Sequence, residues 1–176
     1  EMIDLSTQNQ VSLHTNETCI FKKSGEPNQS FNGTWSNCNN ECDCSKSECG
    51  ILDNNHESFG IPFNDGNGGY TVLQWLNETN NNQYPGIYVW FWPRNSTNIP
   101  NSLLSNNPDP TEFGLPHGSF PFGNWCPSSH FYDNVMVINT DFCGWAGNEF
   151  NKYSECKNTG LNCVDYVSQN PNDFMD

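Results

Sequence analysis

An all-β fold with long loops is what this 176-residue chain predicts, and three features of its composition carry that reading. It contains one alanine, Ala146, so the best helix former is all but absent. It is rich in asparagine and has 14 glycines and 11 prolines, residue types that favour turns over helix interiors. Aromatic residues make up 14% of the chain, more than a disordered polar sequence carries, so there is material for a core.

The elements follow in order. Residues 8–15 read as a strand, because Gln10-Val11-Ser12-Leu13-His14-Thr15 alternates polar and apolar. Residues 16–50 read as a cysteine-rich loop region with little periodicity. Residues 56–63 read as a short strand ending at Pro62. Asp65-Gly66-Asn67-Gly68-Gly69 is a turn signal before a strand. It is not a phosphate loop, since neither Lys-Ser/Thr nor a helix follows. Tyr70–Leu76 and Gly86–Trp92 are strands by their β-branched and aromatic content, with 77–85 as a polar hairpin loop between them. Residues 93–125, rich in Pro, Asn and Gly, read as a long surface loop, and loops of that length are commonly functional. Phe131–Thr140 is the best strand signal in the chain, and 162–167 reads as one or two helical turns. The length suits one domain, and no repeat, linker or charge block marks a second.

Charge and cysteines set the context. Six Lys+Arg against 20 Asp+Glu give a net charge of -14, which argues against nucleic acid and anionic membrane surfaces as partners. No run of about 18 apolar residues exists to span a membrane. There are nine cysteines, and N-x-[ST] sequons stand at Asn16, Asn28, Asn32, Asn77 and Asn95. Together these favour an oxidising, extracellular setting. The Cys38, Cys42, Cys44, Cys49 cluster has a zinc reading, but it lacks a C-x2-C pair and has only His56 nearby, so disulfides pinning a loop are expected. Nine is odd, so one thiol is left over within this chain. Cys156 and Cys163, seven apart around a Gly160 turn, are candidates for a local bridge. Glu1-Met2-Ile3-Asp4 has neither the basic nor the apolar region of a signal peptide, so the chain is expected to be a mature protein or a part of one.

Six tryptophans in an acidic β chain point to carbohydrate, whose apolar C–H faces pack on aromatic planes while Asn and Asp bond the hydroxyls. Trp75 and Trp90 are better read as core. Trp90 and Trp92 share one sheet face and Phe91 the other. Trp125 and Trp145, in Gly-flanked loops, are the candidates for ligand contact.

The order of segments carries more than any one motif. It runs Asn9–Thr15, Cys19, Gly66–Tyr70, then Gly86-Ile87-Tyr88-Val89-Trp90-Phe91-Trp92-Pro93-Arg94. Phe113-Gly114-Leu115-Pro116 and Phe120-Pro121 follow, then Cys126-Pro127-Ser128-Ser129-His130-Phe131 and Phe142-Cys143-Gly144-Trp145-Ala146-Gly147-Asn148. Cys163–Val167 and Asn170-Pro171 close the series. In this collinear order the chain resembles the C-terminal half of a fungal-type glycoside hydrolase family 16 enzyme, an endo-1,3(4)-β-glucanase or laminarinase.

That resemblance implies a concanavalin A-like jelly-roll β-sandwich, here as an incomplete domain over 1–176 that lacks the N-terminal half and the final strand. It implies hydrolysis of internal β-1,3 or β-1,3/1,4 linkages in a β-glucan polysaccharide. No cofactor is called for, and a monomer outside the cell is expected. The family's catalytic strand reads E-[ILV]-D-x-[ILM]-E, with a nucleophile first and a general acid/base last. To bring both to one face the strand needs a bulge. Carboxyls roughly 5–5.5 Å apart give double displacement with retention. Glu1-Met2-Ile3-Asp4 does not fit that motif, because its Glu-to-Asp spacing is one too long and residue 6 is Ser. Alignment through Asn9–Thr15 puts Glu1 on the acid/base and the other carboxylates upstream, so this piece alone is expected to be inactive. The family's cleft histidine maps to His14, with His130 a weaker candidate. Trp145 maps to the tryptophan of a Cys-Gly-Asp-Trp-Ala-Gly segment whose Asp is absent here. Phe113 stands where the family usually has Trp. Two other classes stay open: a non-catalytic glucan-binding relative, and a cysteine-rich extracellular interaction domain.

Overall fold

The computed structural model describes residues 8–22, 30–36, 38, 40–77, 84–137, 143–144, 150–152 and 157–174. Short strands come first: β1 (Gln10–Leu13), β2 (Ile20–Lys22), β3 (Thr34–Trp35), β4 (Glu41–Asp43) and β5 (Cys49–Leu52). Two eight-residue strands, β6 (Gly69–Leu76) and β7 (Gly86–Pro93), are followed by β8 (Gly118–Pro121). They form three antiparallel sheets, in the orders β1-β5-β3, β2-β4 and β6-β7-β8. Two compact units are distinguished, residues 3–132 and 133–176.

In the first unit the alternation along each strand decides which way it faces. On β1, Val11 and Leu13 pack into the main core while Ser12 and His14 are exposed. On β5, Cys49 and Ile51 are fully buried. The same core takes Phe21 from β2, Ile87 from β7 and Phe120 from β8. Trp35, from β3, stacks on Phe21 and meets Phe120 edge-on, each with ring centroids 6.1 Å apart. The apolar sides of the two three-stranded sheets therefore face each other, as in a sandwich.

Three disulfides brace this unit. Cys38–Cys42 and Cys44–Cys49 close short loops, and Cys19–Cys126 joins positions 107 apart in sequence. The clustered cysteines are thus disulfides, not a zinc site. Region 16–50 is not an irregular loop: it holds β2, β3, β4 and the start of β5. These strands are two to four residues long, too short to show periodicity, and the ladders that define them come from distant chain.

Residues 56–63 are not a strand either. Asp53 Oδ1 accepts from the Asn55 amide, and Asn55 Oδ1 accepts from the Glu57 amide. These successive side-chain turns start a 3-10 turn at His56–Ser58. It leads into α1 (Gly60–Asp65), where Pro62 lies in the first turn and costs no hydrogen bond. The Gly66–Gly69 turn accordingly joins a helix to β6.

Segment 93–125 is not one long loop. It contains 3-10 turns at Asn101–Leu104 and Pro110–Glu112, then β8. It folds back over β7, so that Phe113 meets Trp90 at 5.5 Å and Trp92 at 5.3 Å in a second core with Tyr88. Burial pushes the Tyr88 phenol up to about 12, and its hydroxyl donates to the Tyr84 carbonyl at 2.7 Å. Trp90 is core, as expected from the sequence, and its indole N–H donates to the Gly114 carbonyl. Trp75 is not core: it is 37% exposed on the outer row of β6 with Thr71 and Leu73.

His117 and Asp53 tie the ends of the two sheets together. Both side chains are buried, with Nδ1 and Oδ2 3.4 Å apart. The His117 amide donates to the Val89 carbonyl, and its own carbonyl accepts from Gly33. Burial pushes the His117 imidazole below its ordinary value, while the Asp53 carboxylate pulls it up.

In the second unit, α2 (Cys163–Gln169) starts where the Asn162 side chain accepts from the Asp165 amide. Cys143 is bonded to Cys163, which rules out the Cys156–Cys163 bridge expected from spacing. Cys156 itself lies outside the described residues. Phe150 packs on Tyr166, whose hydroxyl bonds Asp173. The strand expected over 131–140 is not formed at 131–137, and 138–140 lie outside the described residues. No partner strand pairs with this segment among the described residues, and Val135, Met136 and Val137 are 80%, 90% and 72% exposed. A strand is a property of a ladder, so apolar content alone does not make one.

Two predictions follow from this bracing. Replacing Cys19 and Cys126 together by Ser releases the longest loop and should cost about 4.7 kcal/mol, read as a lower urea midpoint with an unchanged native spectrum. For His117, the unfolded chain takes up the proton near pH 6.5 and the folded chain only at lower pH. Stability tied to this residue is therefore intact above about 6.5 and lost as the pH falls below it. His117→Gln should show a flatter decline in urea midpoint between about pH 7 and about pH 5 than the parent protein.

Candidate functional site

Because Val11, Leu13, Cys49 and Ile51 turn inward, the opposite face of β1-β5-β3 is set by their neighbours. The register pairs Gln10 with Leu52, Ser12 with Gly50 and Leu13 with Cys49. Gln10 and Ser12 line this face from β1, His14 from the residue after it, and Glu48 reaches over it from the residue before β5. Gln10 Nε2 donates to Ser12 Oγ at 2.7 Å, and Ser12 Oγ donates to Glu48 Oε2 at 3.3 Å. His14 Nε2 lies 3.9 Å from the same carboxylate oxygen, with the imidazole 67% exposed. Gly50 forms the floor. A Cβ there would stand 2.2 Å from Ser36 Oγ and 2.8 Å from Gln10 Nε2, so only glycine lets the two polar groups close over the strand. The face is thus an open row of donors and acceptors on a rigid sheet, chemistry suited to a polyhydroxylated ligand.

A second polar patch continues past the end of β1. Asn16, Glu17, Trp125 and His130 line a cavity of about 660 Å³. His130 stands on the 3-10 turn Ser128–His130, and its Nε2 lies 3.1 Å from Glu17 Oε2. Trp125 is half-buried, and the backbone carbonyl of Trp125 accepts from the Ile20 amide beside the Cys19–Cys126 bridge.

The residues singled out from sequence therefore divide. His14 is on the open face, and Trp125 and His130 share the neighbouring cavity. Glu1 and Trp145 lie outside the described residues. Sequence reasoning missed Ser12, Gln10, Glu48 and Gly50. The first two were readable from the alternation that placed His14, but Glu48 and Gly50 join them only through β1–β5 pairing. His117–Asp53 was missed as well, since nothing in the sequence links positions so far apart. No group of three or more His, Cys, Asp or Glu that could hold a metal ion occurs among the described residues. No described helix is long and apolar enough to cross a membrane.

Comparison with known proteins agrees with this geometry. The family model for the XgeA-like catalytic domain of glycoside hydrolase family 16 matches residues 1–176. A probable endo-1,3(4)-beta-glucanase of Aspergillus fumigatus is 33% identical over 186 residues, covering 100% of this chain and 26% of the relative. A probable glycosidase of Schizosaccharomyces pombe is 29% identical over 180 residues, covering 100% of this chain and 39% of the relative. Among solved structures, laminarinase 16A from Phanerochaete chrysosporium, with 6-O-glucosyl-laminaritriose in both donor and acceptor sites, superposes with a TM-score of 0.66 at 31% identity. That match covers 93% of this chain and 52% of the laminarinase. An elongating family 16 β-1,3-glucosyltransferase gives a TM-score of 0.65 at 30% identity, covering 94% and 52%. The chain thus spans about a quarter of the first of these relatives and about half of the solved chains. Its strands are those of the jelly-roll β-sandwich of these laminarinases. With a family model matched from the first residue to the last, on a sheet whose open face is polar, the chain belongs to glycoside hydrolase family 16.

Proposed function

We propose that residues 1–176 are the C-terminal part of a family 16 catalytic domain, lacking its N-terminal half and final strand. The whole protein then hydrolyses internal β-1,3 and β-1,3/1,4 linkages of β-glucans with retention of configuration. The observation that carries this reading is the open polar face of β1-β5-β3, with His14 on it and the inward side sealed by the core. The relatives' names, endo-1,3(4)-beta-glucanase and laminarinase, support the substrate class. Four disulfides support an extracellular location, where such bonds persist. The protein is proposed to act as a monomer without a cofactor.

An upstream carboxylate attacks the anomeric carbon while Glu1 protonates the departing glycosidic oxygen. Glu1, now ionised, takes a proton from the water that releases the glycosyl-enzyme. His14 bonds substrate hydroxyls on the open face, and Trp145 supplies a stacking platform. Trp125 and His130 make a sugar-binding groove beside that face.

Glu1→Gln in the full-length protein tests the central assignment. Gln keeps the shape but neither donates nor accepts the proton, so turnover of laminarin should fall roughly 10²–10⁴-fold. Aryl glycosides with good leaving groups should lose less, and azide should restore part of the turnover. Full activity would show that Glu1 is an ordinary residue. His14→Ala should instead raise KM roughly tenfold with a smaller change in kcat, the loss of about one hydrogen bond to sugar. An unchanged KM would remove His14 from the site.

A further inference from the structure

The cavity beside the open face has a feature that substrate binding does not explain. Asn16, Glu17 and Thr18, which line it together with Trp125, are a complete N-x-T sequon. All three are exposed, on the bend that follows β1. One residue later Cys19 is bonded to Cys126, the neighbour of Trp125, with Cα atoms 4.2 Å apart. The Ile20 amide donates to the Trp125 carbonyl at 3.0 Å. Acceptor asparagine and indole are therefore held in one rigid frame.

We propose that Asn16 carries an N-linked glycan whose first N-acetylglucosamine lies against Trp125, so that the sugar in this groove is the protein's own. The proposal rests on the reading of the Trp125 groove as a sugar site and names its occupant. In the oxidising compartment where the four disulfides form, oligosaccharide is transferred from a polyprenyl-diphosphate donor. The Asn16 amide nitrogen bonds to the anomeric carbon, the lipid diphosphate leaves, and the displaced amide proton goes to solvent. The apolar face of the pyranose then covers the Trp125 ring, and the groove is large enough at about 660 Å³. Glu17 is already drawn aside to His130 at 3.1 Å.

The other sequon asparagines that are described, Asn32, Asn77 and Asn95, are arranged differently. Asn32 uses its amide to donate to the Leu115 carbonyl, at 3.4 Å. Asn77 accepts from the Trp75 indole, and the rest of its sequon lies outside the described residues, as does Asn28. Asn95 stands on the exposed turn after β7. Among the described residues, Asn16 is distinguished by having its whole sequon along a cavity with Trp125, whereas of the Asn32 sequon only Asn32 itself lines the aromatic cavity at Trp90 and Trp92.

The test uses the full-length protein secreted from a eukaryotic host. Peptide mapping should find Asn16 occupied, and Thr18→Ala should abolish the modification while Thr18→Ser retains it. Endoglycosidase H should trim the Asn16 glycan of the native protein several-fold more slowly than after Trp125→Ala. Thr18→Ala should lower Tm by about 2–4 °C. That loss should vanish when Trp125 is already Ala, because the sugar then has nothing to pack on. An unmodified Asn16, or equal trimming with and without Trp125, overturns the proposal. Neither readout uses glucan hydrolysis, so failure here stays separate from failure of the Glu1 assignment.

Discussion

The packing of one apolar row against another is what the rest of this structure depends on. Val11 and Leu13 on β1, and Cys49 and Ile51 on β5, meet the sheet that contributes Ile87 and Phe120. Because side chains alternate along a strand, committing that row to the core commits the other row to the outside. Ser12 and His14 are exposed, and Gln10 half-buried, for no other reason. A slip of one residue in the β1–β5 register would bury His14 and expose Leu13, exchanging the site for a loss of core. The candidate site and the core are thus two sides of one constraint.

The cysteines supply what so small an apolar seam lacks. β2, β3 and β4 are two or three residues long, and strands of that length bury little area to offset the entropy of ordering them. Cys38–Cys42 and Cys44–Cys49 restrict the unfolded chain locally, and Cys19–Cys126 does so across most of the first unit. The long bridge also acts at the site. It fixes the Asn16–Thr18 bend against the Trp125 turn and so shapes the groove beside the open face. Stability and recognition draw on the same covalent link.

Segment 93–125 shows how a sequence that looks like loop becomes core. Prolines and asparagines give it no period, yet Phe113 closes over Trp90 and Trp92, and Phe120 enters the main core. His117, between them, meets Asp53 from the other sheet. The opposite case is 131–137, where a strong strand signal finds no ladder partner among the described residues. The Trp75 ring, expected inside, is partly exposed because it falls on the outer row of β6.

The sequence by itself determined the all-β class, the long β6 and β7 strands, the disulfide character of the cysteines and the family. The alternation over Gln10–Thr15 also carries Ser12 onto the face of His14, although only His14 was singled out from it. Each of these is local: alternation, residue type, spacing and the order of motifs are written along the chain. Tertiary structure alone decided which residues stand beside His14, since Glu48 and Gly50 arrive through pairing across more than thirty positions. It likewise decided that Cys143 rather than Cys156 takes Cys163, and that Trp125 and the Asn16 sequon line one cavity. The physical reason is common to these outcomes. Contacts between distant segments are selected by the packing free energy of the whole unit, and no single stretch of sequence carries that quantity.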